Sequence, residues 1–251
     1  TPAGRSAPTN SPATSMWCAA KARCGHRPAD RQKPLVTGST FTPPALYGLG
    51  RRSGGRIGLL GGSFNPAHAG HLHVSRLALQ YLRLDAVWWL VSPQNPLKPA
   101  DSMAPFADRL AYAAKVARHP RIVASDVETQ LGTRYTIDTI AALQKHLPHV
   151  RFVWLMGADN LIQLPRWASW REIAARVPIA VWGRPTYSAR AMAGKVAQRY
   201  ARNRIPLEAA GQLALKQPPA WAFFPIRLHP ASATSIREAG HAATLMGGPN
   251  R

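Results

Sequence analysis

The hydrophobic pattern along the chain changes period repeatedly, and each change marks an element. Ile57 to Leu60 is a short apolar run ending at Gly61-Gly62, which reads as a buried strand entering a tight turn. From about Gly70 the spacing of Leu72, Leu77, Leu79 and Leu82 predicts a helix. Asp85 to Ser92 is apolar almost throughout, as expected of a strand buried on both faces of a parallel sheet. A helix over Pro105 to Ala117, a strand over Arg121 to Ala124 and a helix over Thr136 to Leu147 follow. Val150 to Met156 predicts a strand, Trp167 to Val177 a helix, Pro178 to Trp182 a strand and Ala189 to Tyr200 a helix. Residues 201 to 220 carry no clear period; Trp221 to Ile226 predicts a last strand, and Ser232 opens a short helix. Strands alternating with helices imply an α/β fold with a Rossmann-like, doubly wound parallel sheet.

Residues 1–55 break this pattern. Pro, Ser, Thr, Gly, Ala and Arg dominate, Asp30 is the sole acid, and no apolar period appears. The expectation is a disordered basic leader whose removal leaves stability and turnover unchanged, followed by one domain over 56–251. The leader has no apolar stretch of the kind a secretory signal requires.

Composition narrows the class. The chain has 251 residues, 46% of them hydrophobic, enough for one sizeable core. No apolar run approaches the 18 or so residues of a membrane span, so no membrane partner is expected. The formal net charge is +21, which suits either nucleic acid or phosphate-bearing ligands. The basic excess forms no long Lys/Arg run, and no nucleic-acid partner is expected. Cys18 and Cys24 match neither a zinc pattern nor a disulfide framework, in keeping with a reducing, cytoplasmic setting.

The chemistry concentrates where the first strand hands over to the first helix, in Gly61-Gly62-Ser63-Phe64-Asn65-Pro66-Ala67-His68-Ala69-Gly70-His71. A helix N-terminus presents unpaired N–H groups and a positive dipole end, so it favours an anion. Gly61 and Gly62 are expected to let a phosphate approach the backbone. His68 and His71, three apart, can face one ligand from one helical turn. No Gly-Lys-Ser/Thr follows, which excludes a Walker loop, and the G-x-G-x-x-G dinucleotide fingerprint is absent.

These residues resemble the nucleotidyltransferase superfamily that carries a (T/H)-x-G-H signature, and within it the bacterial nicotinate-nucleotide adenylyltransferases. Three further segments resemble that family in order. Tyr135-Thr136-Ile137-Asp138-Thr139 is similar to its Y-T-x-D-T; read unaided, Thr136 is a helix N-cap and Asp138 a first-turn acid. Gly157-Ala158-Asp159, at a strand-end turn, with Pro165-Arg166-Trp167 is similar to its G-x-D…P-x-W. Ser232-Ala233-Thr234-Ser235-Ile236-Arg237 is similar to its S-S-T-x-I-R, with Ala233 removing one hydroxyl and Ala231 departing just before it.

The resemblance implies transfer of the adenylyl group of ATP to nicotinate mononucleotide. It casts His68, His71 and Arg237 as catalytic. ATP would be held by Gly61, Gly62, Ser63, Phe64, Gly70 and both histidines, with Ser232, Thr234, Ser235 and Arg237 on its phosphates. Nicotinate mononucleotide would meet Asn65, Lys98, Thr136, Asp159 and Trp167, the last by stacking on the pyridine ring. Mg²⁺ would arrive with ATP, since no acidic cluster offers a dedicated metal site. Two other readings stand beside this one: another small adenylyltransferase, such as the pantetheine-phosphate enzyme, and a non-catalytic RNA-binding relative.

Overall fold

The structure is a computed structural model that describes residues 41–44, 55–93, 103–184 and 186–225. Six strands form one sheet: β1 (Arg56–Gly62), β2 (Ala86–Val91), β3 (Ile122–Ser125), β4 (Arg151–Gly157), β5 (Ile179–Trp182) and β6 (Trp221–Phe224). All pairings are parallel and the order is β3-β2-β1-β4-β5-β6. This is the doubly wound order, with its switch point between β1 and β4. The helices are α1 (Ala69–Tyr81), α2 (Phe106–Val116), α3 (Val127–Gln130), α4 (Thr136–His146), α5 (Ala158–Gln163), α6 (Trp170–Arg176), α7 (Ser188–Met192) and α8 (Lys195–Arg199). None of them is long and apolar enough to cross a membrane.

The unbroken apolar strands are explained by two cores, one on each face. Trp88, Leu90, Trp154 and Met156 enter one; Val87, Trp89, Val153 and Leu155 enter the other. Alternation along a strand sends successive side chains to opposite faces, so both must be apolar when both are covered. A parallel strand followed by a returning helix also places each helix start at the C-terminal edge of the sheet. α1, α4 and α5 therefore begin on the same edge, α1 and α5 directly after the two strands that flank the switch point.

Several expected boundaries move, each for a local reason. The helix expected from Trp167 starts at Trp170, because Leu164–Arg166 is a 3₁₀ turn and Ser169 is left-handed at φ 49°. Trp167 is thus extended rather than helical. The helix expected over 189–200 is two short ones, separated at Gly194, whose backbone is extended. Gly157-Ala158-Asp159-Asn160, read as a turn, runs directly into α5. Thr136 is the first helical residue of α4, and Tyr135 holds the N-cap position. The short α3 and a 3₁₀ stretch at Leu207–Leu215 had no periodic signal.

Phe41 changes the reading of the leader. Its ring lies 5.0 Å from that of His146 and packs against the core, and Thr42 N–H donates to Gln130 Oε1 at 3.2 Å. Part of the segment expected to be a free leader is therefore docked on α3 and α4. Phe41→Ala should lower Tm by about 2–4 °C, corresponding to roughly 1 kcal/mol for a half-buried ring. A thermal melt unchanged by the substitution would remove this contact from the stabilising set.

Candidate active site

The turn after β1 places two histidines at the start of α1. His68 is the N-cap residue, with extended backbone, and His71 is the third helical residue. Their side chains cap the helix reciprocally. Gly70 N–H donates to His68 Nδ1 at 3.1 Å, and His68 N–H donates to His71 Nδ1 at 3.2 Å. The rings lie 3.9 Å apart. A neutral imidazole accepts at one nitrogen and donates from the other. With its Nδ1 accepting from His68 N–H, the hydrogen-bond pattern assigns the proton of a neutral His71 ring to Nε2. The cap thus leaves Nε2 of His71 as a donor, with the His68 ring beside it.

Electrostatics keep His71 in that form. Burial, then the neighbouring His68 and Arg184, lower its pKa from 6.5 to about 3, against a small opposing effect of the backbone bond from His68. At neutral pH His71 is an uncharged donor. Phe64 supports it, with its ring 4.7 Å from His71 and stacked 5.2 Å from Trp89. Trp89 Nε1–H donates to Ser75 Oγ at 2.7 Å, and Ser75 Oγ–H donates to the His71 carbonyl at 2.8 Å.

The two glycines play different parts. A Cβ on Gly61 would lie 2.6 Å from Trp154 Cη2, so Gly61 is required for strand packing. A Cβ on Gly62 would meet only the Phe64 ring, at an ordinary 3.4 Å. Trp154 in turn meets Trp167 edge-on at 6.2 Å. The β1 turn and Trp167 are therefore linked through one buried indole that carried no functional signal in the sequence.

Across the switch point, Asp159 opens α5 and Arg184 follows β5. Arg184 Nε lies 3.2 Å from Asp159 Oδ1. Among the described residues neither atom has a hydrogen-bond partner, so the pair is a charge contact without hydrogen-bond alignment. Gly157 leaves the room this needs, since a Cβ there would collide with Asp159 Oδ1. Arg184 was not singled out in the sequence, although it ends a strand as Asp159 and Gly62 do.

Three strand ends thus bring together the His68–His71 pair, Asp159 and Arg184. The chain matches the family described as Cytidylyltransferase-like over residues 59–239. It is 57% identical over 185 residues to a protein of Parvibaculum lavamentivorans named "Probable nicotinate-nucleotide adenylyltransferase", covering 74% of this chain and 92% of that one. A Gluconobacter oxydans protein of the same name is 53% identical over 185 residues, covering 74% and 95%. The chain belongs to the nicotinate-nucleotide adenylyltransferase family. Among solved structures it is similar to the Plasmodium falciparum nicotinic acid mononucleotide adenylyltransferase complexed with NaAD. The TM-score is 0.54 at 16% identity, over 73% of this chain and 83% of that one, a likeness of fold.

Other candidate residues of this family member are placed as follows. Thr136 opens α4 on the same sheet edge. Asn65 Oδ1 accepts from Ala104 N–H at 3.2 Å, so part of its side chain braces a neighbouring loop. Ser63 is half-buried and its carbonyl is held by Arg109. Gly70 is buried, with its N–H engaged by His68. Lys98, Ser232, Thr234, Ser235 and Arg237 lie outside the described residues.

Proposed function

We propose that this crevice transfers the adenylyl group of ATP to nicotinate mononucleotide, forming nicotinate adenine dinucleotide and pyrophosphate. The observation that carries the reading is the reciprocal imidazole cap, in a chain of this family. A phosphate oxygen of the mononucleotide attacks the α-phosphorus of ATP in line; the bond to the β-phosphate oxygen breaks, and pyrophosphate leaves. The attacking phosphate is already anionic, so no general base is needed, and catalysis is positioning plus charge stabilisation. His68 and His71 donate from Nε2 to the triphosphate as negative charge moves toward the leaving group. Arg184 adds positive charge beside His71. Arg237 and the Ser232, Thr234 and Ser235 hydroxyls complete the phosphate cradle in this proposal.

Mg²⁺ enters as part of the ATP substrate, with its oxygens drawn mainly from the phosphates. The donors around the pair are imidazoles and a guanidinium, and Asp159 already faces Arg184. Among the described residues no group of three or more His, Cys, Asp or Glu gathers to hold an ion. A cytoplasmic setting belongs to the same reading and rests on the sparse cysteines.

Purified protein, ATP and Mg²⁺ with each candidate acceptor, followed by pyrophosphate release, test the assignment. Release with pantetheine phosphate and not with nicotinate mononucleotide would overturn it. Acceptor choice is expected to favour the acid over the amide. A helix N-terminus offers donors and a positive end to a carboxylate, whereas an amide NH₂ would face those donors. Such a mismatch costs about 1–3 kcal/mol, so kcat/KM should favour nicotinate over nicotinamide mononucleotide by at least ~10-fold. Thr136→Ala should erode that ratio. Trp167→Ala should weaken both acceptors alike. Equal kcat/KM in the unmutated protein would refute this placement of the carboxylate at α4.

A further inference from the structure

We propose that Arg109 is a positioning residue for the transfer: it aims the backbone of the β1 turn at the triphosphate by gripping the carbonyl of Ser63. The inference rests on the reading of that turn as the phosphate site.

Arg109 sits on α2 and is only 3% exposed. Its guanidinium donates to four backbone carbonyls. Nε–H bonds Ala104 O at 2.9 Å, Nη1–H groups bond Ser63 O at 2.6 Å and Ser92 O at 2.8 Å, and Nη2–H bonds Pro93 O at 2.9 Å. No carboxylate pairs with it among these partners. A buried cation held by carbonyl dipoles and by the Phe106 ring, whose centroid lies 5.6 Å from the guanidinium, is costly, and an apolar side chain of similar volume would fill the space more cheaply. What an apolar residue cannot do is orient four carbonyls from three separate segments. Those segments are the β1 turn, the end of β2 and the entry to α2. Arg suits this because its planar fork presents five donors in fixed directions.

The grip falls on one peptide group that matters. The Ser63–Phe64 peptide is trans, so its C=O and N–H point in opposite directions. Fixing Ser63 O at Arg109 fixes the direction of Phe64 N–H. Phe64 itself has φ 45°, a left-handed conformation costly for so bulky a side chain and stable only if its surroundings enforce it. The flanking residues are tied to the same frame. Ser92 N–H donates to Gly62 O at 2.9 Å, and Ala104 N–H donates to Asn65 Oδ1 at 3.2 Å. Because the Phe64 ring contacts His71, a turn that relaxes at Ser63 also releases the imidazole. Arg109 thus acts on the reaction through the Ser63–Phe64 peptide and the Phe64 ring.

The test uses the full chain with Arg109→Lys, Arg109→Met and the unmutated protein, assayed by pyrophosphate release with nicotinate mononucleotide varied at saturating ATP. A lysine keeps the charge but cannot fork to the same carbonyls. The expected result is a kcat at least about tenfold lower in both variants. KM for nicotinate mononucleotide should change less than about threefold, at temperatures where each variant is folded by circular dichroism. Millimolar methylguanidinium should restore kcat of the Met variant severalfold and leave the unmutated enzyme unaffected. If Arg109→Met does not fold, Arg109→Lys carries the comparison alone. Variants that keep the kcat of the unmutated protein, or lose activity only as their folded fraction falls, would reduce Arg109 to a brace and overturn the proposal. An inactive unmutated protein would instead overturn the functional reading and this inference with it.

Discussion

His71→Ala is expected to lower kcat by about 10²–10³, with a much smaller change in KM for ATP. Removing one preorganised donor aimed at developing charge has that typical cost. His71 is held in place before any substrate arrives. Its Nδ1 is occupied by His68 N–H, its Nε2 carries the proton, and its ring is fixed by Phe64 on one side and His68 on the other. No reorganisation is needed when charge moves in the transition state. His71→Asn serves as the companion variant, because an amide can still accept from His68 N–H while presenting its own donor at shorter reach. It should hold Tm near that of the unmutated protein and still lose turnover. A pH profile separates this role from that of an imidazolium. Because His71 is held near pKa 3, kcat should show no limb from its titration between about pH 5 and 8. The sign for stability runs the same way. The folded pKa lies below the ordinary 6.5, so the unfolded state binds the extra proton. The contribution of His71 is complete above that value and is lost as pH falls toward 3. An unchanged kcat in His71→Ala would remove it from the mechanism.

Glu128→Gln should raise stability at alkaline pH relative to acid by as much as about 3 kcal/mol. Glu128 on α3 is buried, and burial pushes its carboxyl up from 4.5 to about 7, opposed in part by a hydrogen bond from Ser92. Its Oε2 has no hydrogen-bond partner among the described residues. Here the folded pKa is the higher one, so the folded state binds more protons between 4.5 and 7. Stability therefore declines as pH rises through that window and stays low above it. At 1.36 kcal/mol per pKa unit, the whole interval approaches ~3 kcal/mol. The amide of Gln is neutral throughout and removes the decline. Any fixed cost of its NH₂ cancels when the two proteins are compared at about pH 5 and about pH 9. Chemical denaturation at both pH values reads the difference directly. A gap between the two proteins that does not change with pH would show that Glu128 is already ionised below pH 5.

The sheet was legible because its signal is short-range. A continuous apolar run of strand length needs only its own residues to declare burial on both faces, and each of the six expected strands is present. Helix existence was legible for α1, α2 and α4, which have enough turns to show a period. It failed for α3, and boundaries failed at α6 to α8, where one left-handed serine or one extended glycine ends a helix too short to repeat. The paired histidines were legible for the same reason as the strands: their spacing along one turn brings the rings together whatever surrounds them.

By itself, then, the sequence determined the strand-helix alternation, the Gly-rich turn from β1 into α1, and the adjacency of His68 and His71. All are decided within a few residues by backbone periodicity and helix geometry. Tertiary structure alone decided the rest. Gly61 is required because Trp154, far along the chain, packs onto it from β4. His71 is uncharged because burial and Arg184 make it so. Arg109 resembles any helical arginine until four carbonyls from three segments close around it. The physical reason is common to all three. Protonation, close packing and the satisfaction of a buried charge depend on which atoms arrive from distant parts of the chain, and only the folded sheet brings them there.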